Sequence, residues 1–115
     1  MSDIKKMQDL VIQFRDNRDW KQFHNPKDLA ISLVLESAEF MEHFQWKSDE
    51  EISAYLKDKK NSVSDELADV FYWVQLIASD LDIDIDSALR NKIKKNEAKY
   101  PVKKAKGKHS KYTEL

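Results

Sequence analysis

The chain has 115 residues, enough for one domain, and its 41% hydrophobic and 36% charged residues suit a folded protein. One glycine and two prolines are too few for the many turns of a β-sandwich, so helices are favoured. The lack of cysteine excludes disulfides, thiol nucleophiles and Cys-ligated zinc. The sequence shows neither an apolar run of membrane-spanning length nor a signal-peptide pattern, so we expect a cytoplasmic protein that contacts no membrane.

The net charge of −1 conceals an uneven distribution of charges. No Lys or Arg occurs from Asp28 to Trp46 or from Asn61 to Leu89, whereas half of the 20 lie between Arg90 and Lys111. This pattern suits a site for a cation together with a polyanion. A solvated face is the commoner explanation for the basic segment alone.

Helical periodicity predicts the first two elements. A first amphipathic helix is expected over residues 3–18, from the spacing of Ile4, Met7, Val11 and Phe14. Residues 20–24 lack that period and are expected to connect. Asn25 followed by Pro26 is a helix-start signal, so a second helix should run from there to about residue 45.

Three further helices are predicted from caps and breakers. They are a short helix opened by the capping box Ser48 to Glu51, a long helix from Ser62 or Ser64 to about Leu81, and a last helix from Asp86 to about Lys99, before Pro101. Residues 57–62 are expected to form a charged loop. We therefore predict an all-α fold: one domain over residues 1–115, an antiparallel bundle of about four main helices with an irregular basic tail over residues 102–115.

The second helix is apolar almost all round and is therefore expected to be buried. Its narrow polar stripe consists of Ser32, Glu36, Glu39 and His43. The third helix repeats the arrangement with a stripe made of Glu66, Asp69, Trp73 and Asp80. Because residues three apart are neighbours on a helix, each helix offers two carboxylates that point the same way.

Four carboxylates without a basic residue in either helix repel one another, and a hard divalent cation would remove the conflict. An all-oxygen shell selects Mg²⁺, with Mn²⁺ as a substitute. A lone acidic pair is usually a solvated surface feature, but two such pairs on nearly apolar helices favour a metal site. His43 fits a partly buried structural histidine better than a ligand.

Motifs spread along the chain resemble the MazG-like all-α NTP pyrophosphatases. These are the segments FRD (14–16), WKQFH (20–24), ESAE (36–39), FQWK (44–47), ELAD (66–69), KYPV (99–102) and KYTEL (111–115). The resemblance covers nearly everything after the first ten residues and is strongest to the dCTP pyrophosphatase branch. Its metal-ligand positions fall on Glu36, Glu39, Glu66 and Asp69. Its nucleotide-contacting positions fall on Trp20, Phe23, His24, Trp46, Trp73, Lys92, Asn96 and Tyr100.

The resemblance implies a homodimer or homotetramer that cleaves (deoxy)nucleoside triphosphates to the monophosphate and pyrophosphate, as a house-cleaning enzyme of the nucleotide pool. The substrate expected is dCTP or a related non-standard deoxynucleotide. Two positions depart from the pattern and bear on base selection. Relatives often place Tyr where this chain has Trp73, and some vertebrate relatives place His where it has Val11.

The chemistry assigns further roles. Mg²⁺ would orient a water for attack on the α-phosphorus, with Glu36 or Glu39 as the general base. No glycine-rich loop is present, so side-chain cations are needed for the phosphates, and Lys92 and Lys99 are the candidates. Trp46 and Trp73 are the expected stacking platforms.

Three alternatives stay open from the sequence. The chain would be a non-enzymatic helical module if its acidic stripes bind a partner's basic surface. It would keep the fold and metal but change substrate if it resembles the all-α dUTP-hydrolysing enzymes. Nucleic-acid binding is the weakest reading, because it rests only on the Lys-rich stretch 92–111.

Overall fold

The computed structural model describes residues 2–115, which form five α-helices and two 3₁₀ turns and contain no strand. The helices are α1 (Asp3–Asp16), α2 (Pro26–Glu42), α3 (Asp49–Asp80), α4 (Ile85–Lys99) and α5 (Val102–Ala105). The 3₁₀ turns are Lys21–Phe23 and Tyr112–Glu114. The expected all-α class is confirmed, with five helices instead of four. The chain divides into two compact units, residues 2–83 and 84–115.

The helices of the first unit begin where side chains cap them. The Oδ1 atom of Asn25 accepts from the Asp28 backbone N–H at 2.9 Å, and Pro26 occupies the first turn of α2. Ser48 and Glu51 form a reciprocal capping box at the start of α3, with distances of 3.2 and 3.1 Å. Both starts agree with the sequence-based prediction.

The loop predicted over residues 57–62 is wrong in its length, because a single non-helical residue stands in its place. Helix α3 spans Asp49 to Asp80, so the short helix and the third helix expected from sequence are joined across a kink. Only Lys59 leaves helical geometry, with φ −110° and ψ 18°, and it marks a kink. The segment KDKKNS contains neither glycine nor proline, and a run of charged residues does not by itself end a helix.

Helix α3 packs against both α1 and α2. Its direction is opposite to that of α2, because Glu39 approaches Glu66 while the later residue His43 approaches the earlier residue Tyr55. The fully or nearly buried side chains are Gln8, Arg15, Leu29, Val63, Gln75, Leu76 and Ala78.

Two polar residues occupy the inner face of α1. Gln8 donates from Nε2 to Oε1 of Gln75 at 3.2 Å, and Arg15 is 1% exposed. The apolar stripe predicted for α1 is therefore rotated away from the centre of the core, and Met7 and Phe14 are partly exposed at its edge. A buried polar residue needs a partner on the facing helix, which the sequence of α1 does not reveal.

The burial expected for α2 is not found within this chain. Leu29 is its one buried residue, whereas Ile31, Val34, Leu35 and Met41 are exposed by about half or more. Helix α2 packs mainly on α3, and one neighbouring helix covers only one face. The rest of the apolar surface of α2 is available for another molecule.

In the second unit, α4 starts at Ile85, one residue earlier than expected, because Oδ1 of Asp84 caps it by accepting from the Ser87 N–H at 3.1 Å. The segment expected to be irregular contains α5 and the second 3₁₀ turn. It folds back on the end of α4, where the rings of Tyr100 and Tyr112 meet edge to face at 5.9 Å. No helix over residues 2–115 is long and apolar enough to span a membrane.

Candidate functional site

Three of the four predicted metal-ligand carboxylates come together between α2 and α3. One oxygen from each of Glu36, Glu39 and Glu66 lies within 4.8 Å of the other two. The Oε2 atoms of Glu36 and Glu66 are buried and have no hydrogen-bond partner. Asp69 lies outside this tight group but close enough to act electrostatically on Glu36 and Glu66.

The carboxylates of the cluster disfavour one another's ionisation. Desolvation, followed by contact with Glu39 and the charges of the other acids, raises the pKa of Glu36 from 4.5 to about 7. Desolvation and Glu39 also raise the pKa of Glu66 and of Asp69 above their ordinary values. No basic side chain forms an ion pair with Glu36, Glu39 or Glu66 among the described residues. The cluster is therefore short of positive charge.

A cavity of about 460 Å³, a size that suits a small molecule, opens beside the acidic cluster. Its lining residues are Leu10, Val11, Phe14, Trp20, Glu36, Asp69, Tyr72 and Trp73. The wall is almost entirely apolar and aromatic, and the two carboxylates supply the charge at one side. Such a surface suits a flat aromatic group attached to something that interacts with the acidic cluster or with a cation held there.

His24 is held near the aromatic wall. Its ring lies 5.6 Å from that of Trp73, and its Nδ1 atom is buried without a hydrogen-bond partner. Desolvation, followed by the charge of Arg15, lowers the pKa of His24. A neutral imidazole with a free ring nitrogen is able to make a hydrogen bond to a ligand.

Two other predicted substrate-binding residues are not part of the cavity lining. Phe23 is 67% exposed, and Trp46 is 91% exposed with φ 68°, a left-handed conformation that is costly for a bulky residue. Neither residue is brought to the carboxylates within this chain. An aromatic side chain held in the open in this way suits contact with another molecule.

The remaining predicted substrate-binding residues lie in the second unit. Lys92 is exposed on α4, and Asn96 is half-buried and accepts a backbone hydrogen bond from Tyr100 at 2.8 Å. Tyr100 packs against Tyr112, and Nζ of Lys99 lies 4.9 Å from the centre of the Tyr112 ring. These contacts order the end of α4.

Sequence reasoning missed several residues of this region, among them Tyr72 and Arg15. Tyr72 lines the cavity and packs edge to face on both Phe14 and Trp73, at 6.0 and 5.3 Å. Arg15 pairs with Asp80 at 2.7 Å, and its carbonyl accepts a hydrogen bond from the Trp20 N–H at 3.3 Å. The one signal in the sequence is that Asp80 shares a helix face with Asp69 and Trp73. An acid on an otherwise apolar helix indicates that a neighbouring element supplies a partner for it.

Comparisons with known proteins identify the family and the fold. The sequence matches the MazG-like family over residues 31–115. All of the chain aligns with dCTP pyrophosphatase 1 from Rattus norvegicus, at 36% identity over 67% of that protein, and from Homo sapiens, at 34% identity over 67%. A crystal structure of a pyrophosphatase from Archaeoglobus fulgidus DSM 4304 superposes with a TM-score of 0.81 at 36% identity, covering 88% of this chain and 94% of that one.

The chain therefore belongs to the MazG-like family, and its all-α fold is shared with a solved pyrophosphatase. The prediction that it is an enzyme, a nucleoside triphosphate pyrophosphohydrolase, is confirmed at the level of enzyme class. The reading as a non-enzymatic module is thereby disfavoured.

The acidic cluster fits a divalent cation. Glu36 and Glu66 each bury a carboxylate oxygen that has no hydrogen-bond partner, and a cation bound to these oxygens would satisfy both. A set of ligand atoms made only of carboxylate oxygens, which repel one another, suits a hard metal ion rather than zinc. Glu36, Glu39 and Glu66 are the residues that would hold it, and Asp69 lies beside them.

Proposed function

We propose that the chain hydrolyses deoxynucleoside triphosphates, with dCTP or a related non-standard deoxynucleotide preferred, to the nucleoside monophosphate and pyrophosphate. The observation that carries this proposal is the carboxylate cluster of Glu36, Glu39 and Glu66 at the edge of an aromatic cavity. The proposed preference for a cytosine base rests on the names of the relatives from rat and human. Removal of unwanted nucleotides from the pool is the biological role that this reaction would serve.

In the proposed reaction, the oxygen of a water molecule forms a bond to the α-phosphorus while the bond to the bridging oxygen of the β-phosphate breaks. Pyrophosphate leaves with that oxygen, and the water gives up a proton. Glu36 or Glu39 accepts the proton on a carboxylate oxygen. Mg²⁺, for which Mn²⁺ is a substitute, would when bound by Glu36, Glu39, Glu66 and Asp69 supply charge neutralisation and orient the water.

The aromatic wall is assigned to the base. Trp20 and Trp73 offer flat faces in the cavity, and stacking on such faces stabilises a bound base by about 1–3 kcal/mol. His24, beside Trp73, would contribute a hydrogen bond. Phe23, Trp46, Lys92, Asn96 and Tyr100 are retained as proposed substrate contacts on the strength of the resemblance, with Lys92 and Lys99 as the cations for the phosphates.

Self-association is part of the proposal. The apolar face of α2 exposes Val34 by 66% and Leu35 by 58%, and a groove of about 350 Å³ lies beside them. An exposed helix face of this kind suits a second copy of the chain, and the family resemblance implies a dimer or a tetramer. The 91% exposure of Trp46 fits the same assembly.

A pyrophosphate-release assay over the eight common (deoxy)nucleoside triphosphates tests the function. Release of pyrophosphate, with dCTP among the best substrates, is the expected result, and release of orthophosphate alone would contradict it. Preference for dUTP would place the chain with the related all-α enzymes that hydrolyse dUTP. A folded protein that binds neither Mg²⁺ nor Mn²⁺ in calorimetry would support a non-enzymatic module instead.

Four substitutions test the metal-ligand assignment: Glu36→Gln, Glu39→Gln, Glu66→Gln and Asp69→Asn. Each is expected to abolish turnover while circular dichroism shows an intact fold. Retained activity in any two of them would overturn the assignment. Glu42→Gln is the matched control, because Glu42 is an exposed acid on α2 outside the cluster.

A further inference from the structure

Arg15 is a buried cation, with a side chain that is 1% exposed. Its Nη1 atom donates to Oδ2 of Asp80 at 2.7 Å, and its Nε atom donates to Oδ1 of Asp16 at 3.3 Å. The Asp80 side chain is itself 15% exposed. Burying such a pair adds little stability compared with well-packed apolar residues, so stability alone is a weak explanation for it.

The carbonyl of Arg15 accepts a hydrogen bond in the turn that follows helix α1 and carries Trp20. The Trp20 N–H donates to the Arg15 carbonyl at 3.3 Å, and the Asp19 N–H donates to the Asp16 carbonyl at 3.0 Å. Asp19 has φ 55°, so the chain leaves the helix through a left-handed residue. These bonds form a Schellman motif. The apolar contact that accompanies the motif is the edge-to-face packing of Phe14 on Trp20 at 5.7 Å.

The other partner, Asp80, stands at the end of α3. It lies seven residues after Trp73 and eleven after Asp69, and both spacings return to the same face of a helix. A second Schellman motif ends α3 directly after it, since the Ile83 N–H donates to the Ala78 carbonyl at 2.8 Å. The ion pair therefore joins two helix ends with defined geometry.

We infer that Arg15 and Asp80 form a positioning pair, which ties the turn carrying Trp20 to the helix carrying Asp69 and Trp73. The pair holds one aromatic wall of the cavity at a fixed distance from the carboxylates. Neither residue lines the cavity, so both are positioning residues and not proposed substrate contacts. The inference rests on the proposed function only in assigning the cavity to a nucleotide.

A double substitution separates positioning from a merely structural role. Arg15→Met alone would leave Asp80 buried and unpaired, so a loss of stability is expected and decides nothing. Arg15→Met combined with Asp80→Leu removes both charges and fills the space with apolar groups, which commonly preserves stability. The double variant is expected to keep the fold and to lose only the hydrogen-bonded ion pair between the two helix ends.

The kinetic arm uses the best nucleotide from the pyrophosphate assay. In the double variant, KM is expected to rise about tenfold while kcat changes less than about twofold, because a displaced wall weakens binding without altering the carboxylates. Mn²⁺ binding should equal that of the parent. Arg90→Met is the matched control: it removes an Arg from the exposed pair with Asp86 and is expected to leave KM unchanged.

The second arm does not depend on activity. Trp46→Phe and Trp73→Phe leave Trp20 as the sole tryptophan of the chain. In that background the double variant is expected to lose fluorescence anisotropy on the nanosecond timescale, because the Trp20 ring moves more freely. A chain that hydrolyses no nucleotide would refute the proposed function, and this arm would still decide whether the pair holds Trp20.

Parent values of both KM and anisotropy in the folded double variant would overturn the inference. If the double variant does not fold, Arg15→Lys decides instead, because it keeps the charge beside Asp80 but not the forked geometry of the guanidinium. A raised KM at unchanged kcat in Arg15→Lys supports positioning, and parent values contradict it.

Discussion

Glu36 and Glu66 belong to different helices, yet each buries an Oε2 atom without a hydrogen-bond partner in the same cluster as Glu39. In the folded chain, this arrangement disfavours the ionised form of the two carboxyl groups. It therefore favours binding of a proton or a cation by the cluster. It therefore predicts how stability depends on pH and on divalent metal.

Without metal, the free energy of unfolding contributed by Glu36 is expected to fall as the pH rises from 4.5 towards 7. The raised pKa means that the folded chain holds the proton over a range in which the unfolded chain has lost it, so the contribution is greatest at low pH. The pKa of His24 is lowered, so below pH 6.5 its contribution to the free energy of unfolding rises as the pH rises, opposite to that of Glu36.

Comparison with Glu36→Gln isolates the effect, because His24 is common to both proteins. Urea unfolding in a chelator at several pH values should show the parent losing stability relative to the variant as the pH rises. Glu42→Gln should follow the parent. Parallel curves for the parent and Glu36→Gln would contradict the prediction.

Divalent metal is expected to stabilise the folded chain. At a Mn²⁺ concentration about 100 times the dissociation constant, the free energy of unfolding should rise by about 2.7 kcal/mol, because the cation binds the folded cluster and not the unfolded chain. Thermal unfolding with and without Mn²⁺ measures this gain. Glu39→Gln should remove most of it and Glu42→Gln should retain it; equal gains in both would place the metal elsewhere.

The sequence predicted most helix starts and three of the residues that meet in the acidic cluster. The starts were predictable because Asn25 and Ser48 cap locally, within three or four residues of chain. The carboxylates were predictable because their spacing of three places each pair on one helix face. Both signals are local in sequence.

Features that depend on neighbouring elements were not predictable. The charged segment 57–62 looked like a loop, but helix α3 continues through it with a kink at Lys59. The sequence of α1 gives no sign that Arg15 is buried, because its partner Asp80 lies 65 residues away. The apolar circumference of α2 predicted burial, but one chain offers too few neighbours to cover it.

Asp82 has φ 54°, which places a non-glycine residue in the left-handed conformation in the turn that follows α3. Asp82→Gly is expected to raise the free energy of unfolding by about 0.5 kcal/mol, because glycine adopts this conformation without steric cost. Asp82→Ala is the matched comparison and should lower stability by about 1 kcal/mol. Chemical denaturation measures both, and a glycine variant less stable than the parent would contradict the prediction.

His43 and Tyr55 connect α2 to the first part of α3. Nδ1 of His43 lies 2.5 Å from the hydroxyl of Tyr55, and Nζ of Lys47 lies 4.4 Å from the centre of the same ring. Tyr55→Phe should lower the free energy of unfolding by about 1 kcal/mol, because it removes the hydrogen bond and retains the ring. Tyr112→Phe, whose ring contacts persist without the hydroxyl, is the control and should change stability little. Equal losses in both variants would show that the hydrogen bond to His43 adds no stability of its own.

The exposed apolar face of α2 leads to a prediction about assembly. The parent chain is expected to sediment as a dimer or tetramer, well above the 13.6 kDa of one chain. Val34→Glu places a charge on the 66% exposed position of that face, so it should shift the protein towards 13.6 kDa. Since Val34 is exposed within one chain, helicity should be preserved.

Lys57→Glu, a charge change at an exposed position of α3, is the control and should sediment like the parent. A parent that sediments at 13.6 kDa would refute self-association altogether. A Val34→Glu variant that assembles like the parent would instead place the interface on another face. Because Trp46 is open to solvent in the single chain, its fluorescence should shift to the blue on assembly if a second copy covers it, and that shift should be lost in Val34→Glu.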